Sequence, residues 1–257
     1  MSALTLEELE ELSVGTYQRS MATISSAVDS LNSAPMNELR FVQFSLLART
    51  FRLLRGIHTL VRERQPTEAG ILTLSLFEVR LDAQYIGANI DRAHHWMTHD
   101  SELHQAWTVR SKINELYPRP EERDAQLQFF AFLSQLKHAN PRAGSLAFGF
   151  RLNGNSTTLS MEDDPQDPIV QRHCRLILFS AITQALQSSG ALFRSINCGA
   201  QFVEPLRQFL EFASQANSHI GDTAEAFDIE ARADTSWITP HMFSAALERW
   251  GNIRPRS

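Results

Sequence analysis

Between Ile71 and Tyr85 the chain reads Ile-Leu-Thr-Leu-Ser-Leu-Phe-Glu-Val-Arg-Leu-Asp-Ala-Gln-Tyr. At about 100° per residue, Leu72, Leu76, Val79, Ala83, Ile86, Ile90, Ala93 and Met97 make one apolar stripe along a helix. Ile71, Leu74, Leu81 and Tyr85 make a second, roughly 140° away, and the polar side falls to Thr73, Arg80, Gln84, Asp91 and His94. A surface helix buries one stripe, whereas a helix with two must be covered on both sides. This segment, expected to run from Glu68 to near Met97, therefore belongs at the centre of a helical bundle.

Helical spacing recurs through most of the chain. Thr5 and Glu8 form a capping box ahead of Val14, Tyr17, Met21, Ile24, Val28 and Leu31, a stripe expected to face the core. A second helix is expected over 38–64, others over 101–116 and 121–139, an apolar one over 168–196, and another over 201–216. Asn140-Pro141 stops the 121–139 helix, because the residue before proline leaves helical dihedrals. The period changes to two at Phe148, Phe150 and Leu152, and again at Thr157, Leu159 and Met161, around the turn dipeptide Asn153-Gly154. The fold class is thus all-α, a bundle of about eight helices with one small hairpin near residues 148–161. Residues 1–217 form the bundle, and 218–257 a polar connector with a short last helix that opens on Thr239-Pro240.

Composition narrows the function classes. Of 257 residues, 43% are apolar and 21% charged, which suits a soluble globular chain, and a net charge of -5 argues against bulk attraction to a nucleic-acid backbone. Cys174 and Cys198 are too few for a disulfide framework and lack zinc-site spacing. The acidic N-terminus is unlike a signal peptide, and the apolar run near Leu176–Ile182 falls far short of the roughly 20 residues that span a bilayer. A cytoplasmic protein without a membrane crossing is expected, with no cofactor. There is no phosphate loop, nucleophile elbow or kinase motif.

Glu78 falls within the second apolar stripe, where an unpaired charge costs several kcal/mol, about 3 or more. The helix 121–139 offers the answer, since Leu127, Phe130, Ala131, Ser134 and His138 lie within about 100° of one another. Glu78 is therefore expected to meet Ser134 and His138, with Lys137 or Arg142 assisting. A carboxylate beside a histidine raises its pKa and fixes its tautomer, the arrangement of acid/base catalysis. The same pairing also suits a bridge that merely fixes helix register, with Lys137 and His138 favoured at a helix C-terminus.

Two further constellations stand out. Asp91, His95 and His99 recur every four residues, the spacing of metal ligands on one helical face. Arg52, Arg55 and Arg62, with Thr59, form a basic stripe suited to RNA phosphates. Arg52 and His58 also have the Arg-x5-His spacing of HEPN ribonucleases, in which the two residues meet at a helical dimer interface. On one straight helix they point about 120° apart, so a shared site needs a second subunit.

The segment from Thr59 to Trp96 resembles a widespread bacterial family of helical proteins of unknown function. The residues that carry it are Glu68-Ala69, Leu72 to Glu78, Tyr85, and Arg92 with Trp96; Ser134-Gln-Leu-Lys-His138 with Pro141 is similar to the family's later Ser-x-x-x-His. Members usually carry an arginine one turn before the glutamate, where this chain has Leu74. The layout is also similar, at the level of fold, to HEPN-like bundles of phage-defence and toxin systems. The family itself brings no established activity; the leading expectation is a defence or stress-response effector with HEPN-like RNA cleavage by His138, Glu78, Ser134 and Lys137 and RNA held by Arg52, Arg55 and Arg142. The rival expectations are a non-catalytic interaction or scaffold protein, as a homodimer or with a protein partner, and a metal-binding protein.

Overall fold

The computed structural model describes residues 4–31, 36–99, 106–137, 149–153, 156–160, 168–195 and 203–216. Among them the fold is all-α, with eight helices: α1 (Leu6–Leu31), α2 (Glu38–Arg62), α3 (Pro66–Ala88), α4 (Arg92–Thr98), α5 (Val109–Leu116), α6 (Pro120–Lys137), α7 (Pro168–Ser195) and α8 (203–216). They belong to one compact unit, residues 5–217. The segments Gly149–Asn153 and Ser156–Ser160 pair antiparallel with Asn153 opposite Ser156. The connector and last helix expected over 218–257 lie outside the described residues.

Local chemistry sets the helix ends. The Thr5 N–H donates to Glu8 Oε2 at 2.7 Å and the Glu8 N–H to Thr5 Oγ1 at 3.2 Å, so the expected capping box forms. Asn37 and Thr108 cap α2 and α5 by accepting from Arg40 and Ser111. At the end of α2, Arg64 takes a left-handed φ of 58°. Its N–H donates to the Val61 carbonyl while the Gln65 N–H donates to Leu60, closing a Schellman turn that hands the chain to Pro66 at the start of α3.

α3 is the central helix, packed against α2, α4, α5, α6 and α7. Gly70 permits this crowding, since a Cβ there would lie 2.4 Å from Leu136 Cδ1 of α6 and 3.3 Å from Ile177 Cδ1 of α7. On one flank Leu74, Phe77 and Leu81 pack with Val109 and Ile113 of α5 and Leu133 and Leu136 of α6. On the other, Leu76, Val79, Ala83 and Ile86 are buried. The two apolar stripes are real. Their polar boundaries are not where periodicity put them, because Thr73 and Arg80 are buried at 0% and 1% exposure. The open sector of α3 carries Ile71, Ser75, Glu78 and Asp82, all half-buried. The cause is that α7 lies against the Thr73–Arg80 side, with Gln187 reaching Arg80.

The central helix is also shorter than expected. Asn89 leaves helical dihedrals at φ -148° and ψ 105°, and its Oδ1 accepts the Asp91 N–H at 3.1 Å. That local turn competes with helix continuation. The chain restarts as α4, which leaves Ile90 and Met97 exposed at 57% and 41% rather than on a core stripe.

α1 corrects a second expectation. Its inward line is Leu6, Leu9, Ser13, Thr16, Ser20 and Thr23, while Val14, Met21 and Val28 are exposed. Thr16 and Thr23 satisfy themselves by donating to their own i-4 carbonyls, so burial does not strand their hydroxyls. Small polar groups also line the facing helices, where Thr50 of α2 meets Ser188 of α7 at 2.9 Å. α7 has the length and apolarity of a membrane span over Val170–Phe193, yet 61% of that window is buried inside the bundle. Here it is a core helix.

Candidate functional site

Four groups of charged residues gather around α3 and α2. The deepest is Arg80. Its guanidinium donates from Nη1 to Tyr117 Oη at 2.6 Å and to Gln187 Oε1 at 3.0 Å, and from Nη2 to Gln126 Oε1 at 2.7 Å. Tyr117 passes its own hydroxyl proton toward Gln84 Oε1 at 3.0 Å. The rings of Phe77 and Tyr117 cover the cation at 4.7 Å and 5.8 Å. Among the described residues no carboxylate answers Arg80, and its Nε is buried without an acceptor. Burial lowers its pKa, against the pull of Tyr117.

Two residues on, and on the open sector, Asp82 accepts from Lys112 Nζ at 2.6 Å, and that lysine is fully buried. Burial pushes the Asp82 carboxyl up, while Lys112 and Arg49 pull it down. Arg49 of α2 thus acts on the same sector that carries Glu78.

The third group joins α3, α4 and α5. Glu115 accepts from Tyr85 Oη at 2.8 Å and pairs with Arg92, whose Nη1 donates to the Tyr85 carbonyl at 2.9 Å. The Arg92 guanidinium sits 3.6 Å from the centre of the Tyr85 ring. Arg92 holds the Glu115 carboxyl below the usual range, with Tyr85 helping; burial and the bond to Glu115 raise the Tyr85 phenol. Tyr85 meets Trp107 at 5.0 Å between ring centres, Trp107 meets His95 at 5.2 Å, and His95 meets His99 at 6.0 Å.

The fourth is the exposed face of α2. Arg49, Arg52, Arg55, Thr59 and Arg62 all reach solvent, and no ion pair is made by Arg52, Arg55 or Arg62 among the described residues. His58 stays half-buried beside them; burial lowers its pKa, Glu10 raises it and Arg62 lowers it.

The expected centre is only partly present. Glu78 of α3 is half-buried on the open sector rather than on a dry flank, and it has no hydrogen-bonding or ionic partner among the described residues. Ser134 of α6 is half-buried and Lys137 exposed. The inward face of α6 is Leu133 and Leu136, with Ala131 exposed, so Ser134 lies at the edge of that face. His138 and Arg142 lie outside the described residues, and with them the expected meeting of Glu78 and His138. Arg52 and Arg55 are placed as expected, on solvent. His95 and His99 do approach each other, but no three potential ligands converge on a metal position among the described residues. Sequence reasoning missed Arg80, Asp82 and Lys112 as buried charges. For Arg80 the usable signal was its position 300° from Phe77 on a helix apolar almost all round.

The fold and these clusters define an all-α protein with charged groups buried in an apolar interior and a basic outer helix. Residues 40–148, about two-fifths of the chain, match a family described as a family of unknown function (DUF5677). The kinship with an uncharacterised helical family is borne out over those residues, which span α2 to α6 and hold every expected site residue. No curated protein and no solved structure matches the chain.

Proposed function

We propose that this is a cytoplasmic RNA-binding effector of stress response or phage defence, with HEPN-like cleavage as its activity. The observation that carries the reading is the solvent-facing row Arg49, Arg52, Arg55 and Arg62 on α2, in which Arg52, Arg55 and Arg62 make no ion pair among the described residues. Guanidinium groups left free on a helix of an otherwise acidic chain suit phosphate oxygens better than carboxylates of the same protein. Glu78 supports it: a residue that only pins helix register is sealed in the core, whereas Glu78 is half-buried on the open sector of α3, beside the Asp82 on which Arg49 acts. In this reading His138 is the acid/base, Glu78 orients it, and Ser134, Lys137 and Arg142 assist. The test measures RNA affinity against salt, with cleavage and growth arrest alongside. Arg52→Glu with Arg55→Glu should weaken binding about tenfold or more and flatten the salt slope by about one per lost contact. His138→Ala should abolish cleavage while leaving binding intact. Wild-type protein that neither binds nor cuts RNA overturns the reading.

A second reading, a non-catalytic interaction protein, is favoured by the exposed apolar line Val14, Met21 and Val28 on α1. It is tested by oligomeric state in solution and its loss in Met21→Glu.

A further inference from the structure

The ring cluster at the α3–α4–α5 junction is graded from core to solvent. Tyr85 is 7% exposed, Trp107 half-buried and His95 exposed, with centres 5.0 Å and 5.2 Å apart in succession. Beyond His95 the half-buried His99 ring lies 6.0 Å away, so Trp107 and His95 are the members of the series that present rings toward solvent between the core and that last ring. The series is also held rigid at its foot. Glu115 takes both the Tyr85 hydroxyl and Arg92, and Arg92 lies 3.6 Å over the Tyr85 ring while bonding the Tyr85 carbonyl at 2.9 Å. Tyr85 is therefore a fixed surface for Trp107 to pack against edge to face, and a ring so backed offers a base a firmer stacking surface.

The platform adjoins α2. His94, next to His95, meets both Glu38 oxygens at 3.0 Å and 3.1 Å, which ties α4 to the first turn of α2. One turn further on, Phe41 is 51% exposed. At about 100° per residue Phe41 lies within about 40° of Arg52, Arg55 and Thr59 around the helix. It stands about 16 Å along the axis from Arg52 and about 30 Å from Arg62. Rings at one end and unpaired guanidinium groups along the rest make a track of two chemistries, one for base faces and one for backbone phosphates.

We infer that Trp107 and His95, seated on the buried Tyr85 ring, and Phe41 stack the unpaired bases of a single-stranded polynucleotide whose backbone follows the arginines of α2. The inference rests on the RNA reading above and deepens it: the ligand is single-stranded, and duplex is the poor substrate. In a duplex the base faces are already stacked on one another, so only the phosphate contacts remain.

The experiment uses the full chain with labelled oligo(U), oligo(dT) and a blunt duplex of equal length. Either single strand should bind about tenfold tighter than the duplex, and the tighter of the two names the polynucleotide. Single strands should quench Trp107 fluorescence, and that component should vanish in Trp107→Phe, which keeps a ring in place. His95→Ala and Phe41→Ala, both at exposed positions, should remove most of the preference without changing duplex affinity or the salt slope. Far-UV circular dichroism verifies that each variant folds. Equal affinity for single strand and duplex, or a preference untouched by both substitutions, overturns the stacking site; if Arg52→Glu still weakens every ligand, the α2 reading survives it. Absence of binding to all three probes overturns both.

Discussion

Replacing Arg80 separates what its volume contributes from what its charge costs. The side chain is 1% exposed and is answered by three neutral oxygens, with Nε unpaired. In Arg80→Ala the space between Phe77 and Tyr117 empties, and large-to-alanine changes of this kind cost about 3–5 kcal/mol. Of the three acceptors left behind, Gln187 is exposed and turns to water, and Tyr117 keeps its bond to Gln84 at 3.0 Å. Only the half-buried Gln126 is stranded. Arg80→Met refills most of the volume, and it also removes the burial of an uncompensated cation. Its expected cost is therefore about 1 kcal/mol or less. At about 2–4 °C per kcal/mol for a chain of this size, the alanine variant should melt about 10 °C below wild type and the methionine variant within about 4 °C. Thermal and urea melts followed by far-UV circular dichroism measure both. If methionine is as damaging as alanine, the three hydrogen bonds outweigh the burial of the cation, and the reasoning that a charge without a counter-ion is a net burden fails.

Asp82→Asn strands the fully buried Lys112 ammonium and should cost about 3 kcal/mol by urea titration, with Lys112→Met beside it restoring most of the loss. His58 has its folded pKa held below its ordinary value of 6.5, chiefly by burial. Its contribution to stability is complete above that value and is lost as the pH falls through the folded pKa, so wild type should weaken on acidification from pH 7 toward pH 5 and His58→Gln should weaken less. Arg64→Gly relieves a left-handed φ of 58° and should raise stability by about 1 kcal/mol, less whatever the 3.4 Å contact to Glu10 contributes. A drop in melting temperature would show that the bridge outweighs the strain.

The sequence by itself determined that this chain is a helical bundle with the helix that begins near Glu68 at its centre, though not where that helix ends, because two apolar stripes on one helix admit no other placement. It also fixed the helix starts where a local hydrogen bond suffices, as at Thr5 and Glu8. The row of arginines on α2 was legible too, since its solvent face follows from helical spacing alone. Periodicity could not decide which helix covers which side, nor what a polar residue does once covered. Arg80 reads as solvent-facing until α7, the end of α5 and α6 bring Gln187, Tyr117 and Gln126 to it from 107, 37 and 46 residues away. Ser13, Thr16, Ser20 and Thr23 read as the outer side of α1 until Thr16 and Thr23 spend their hydroxyls on their own backbone and the line turns inward. Glu78 reads as buried until the packing of α3 leaves its sector open. Spacing along a helix is a local property, whereas burial is conferred by neighbours distant in sequence, and only the tertiary structure supplies those.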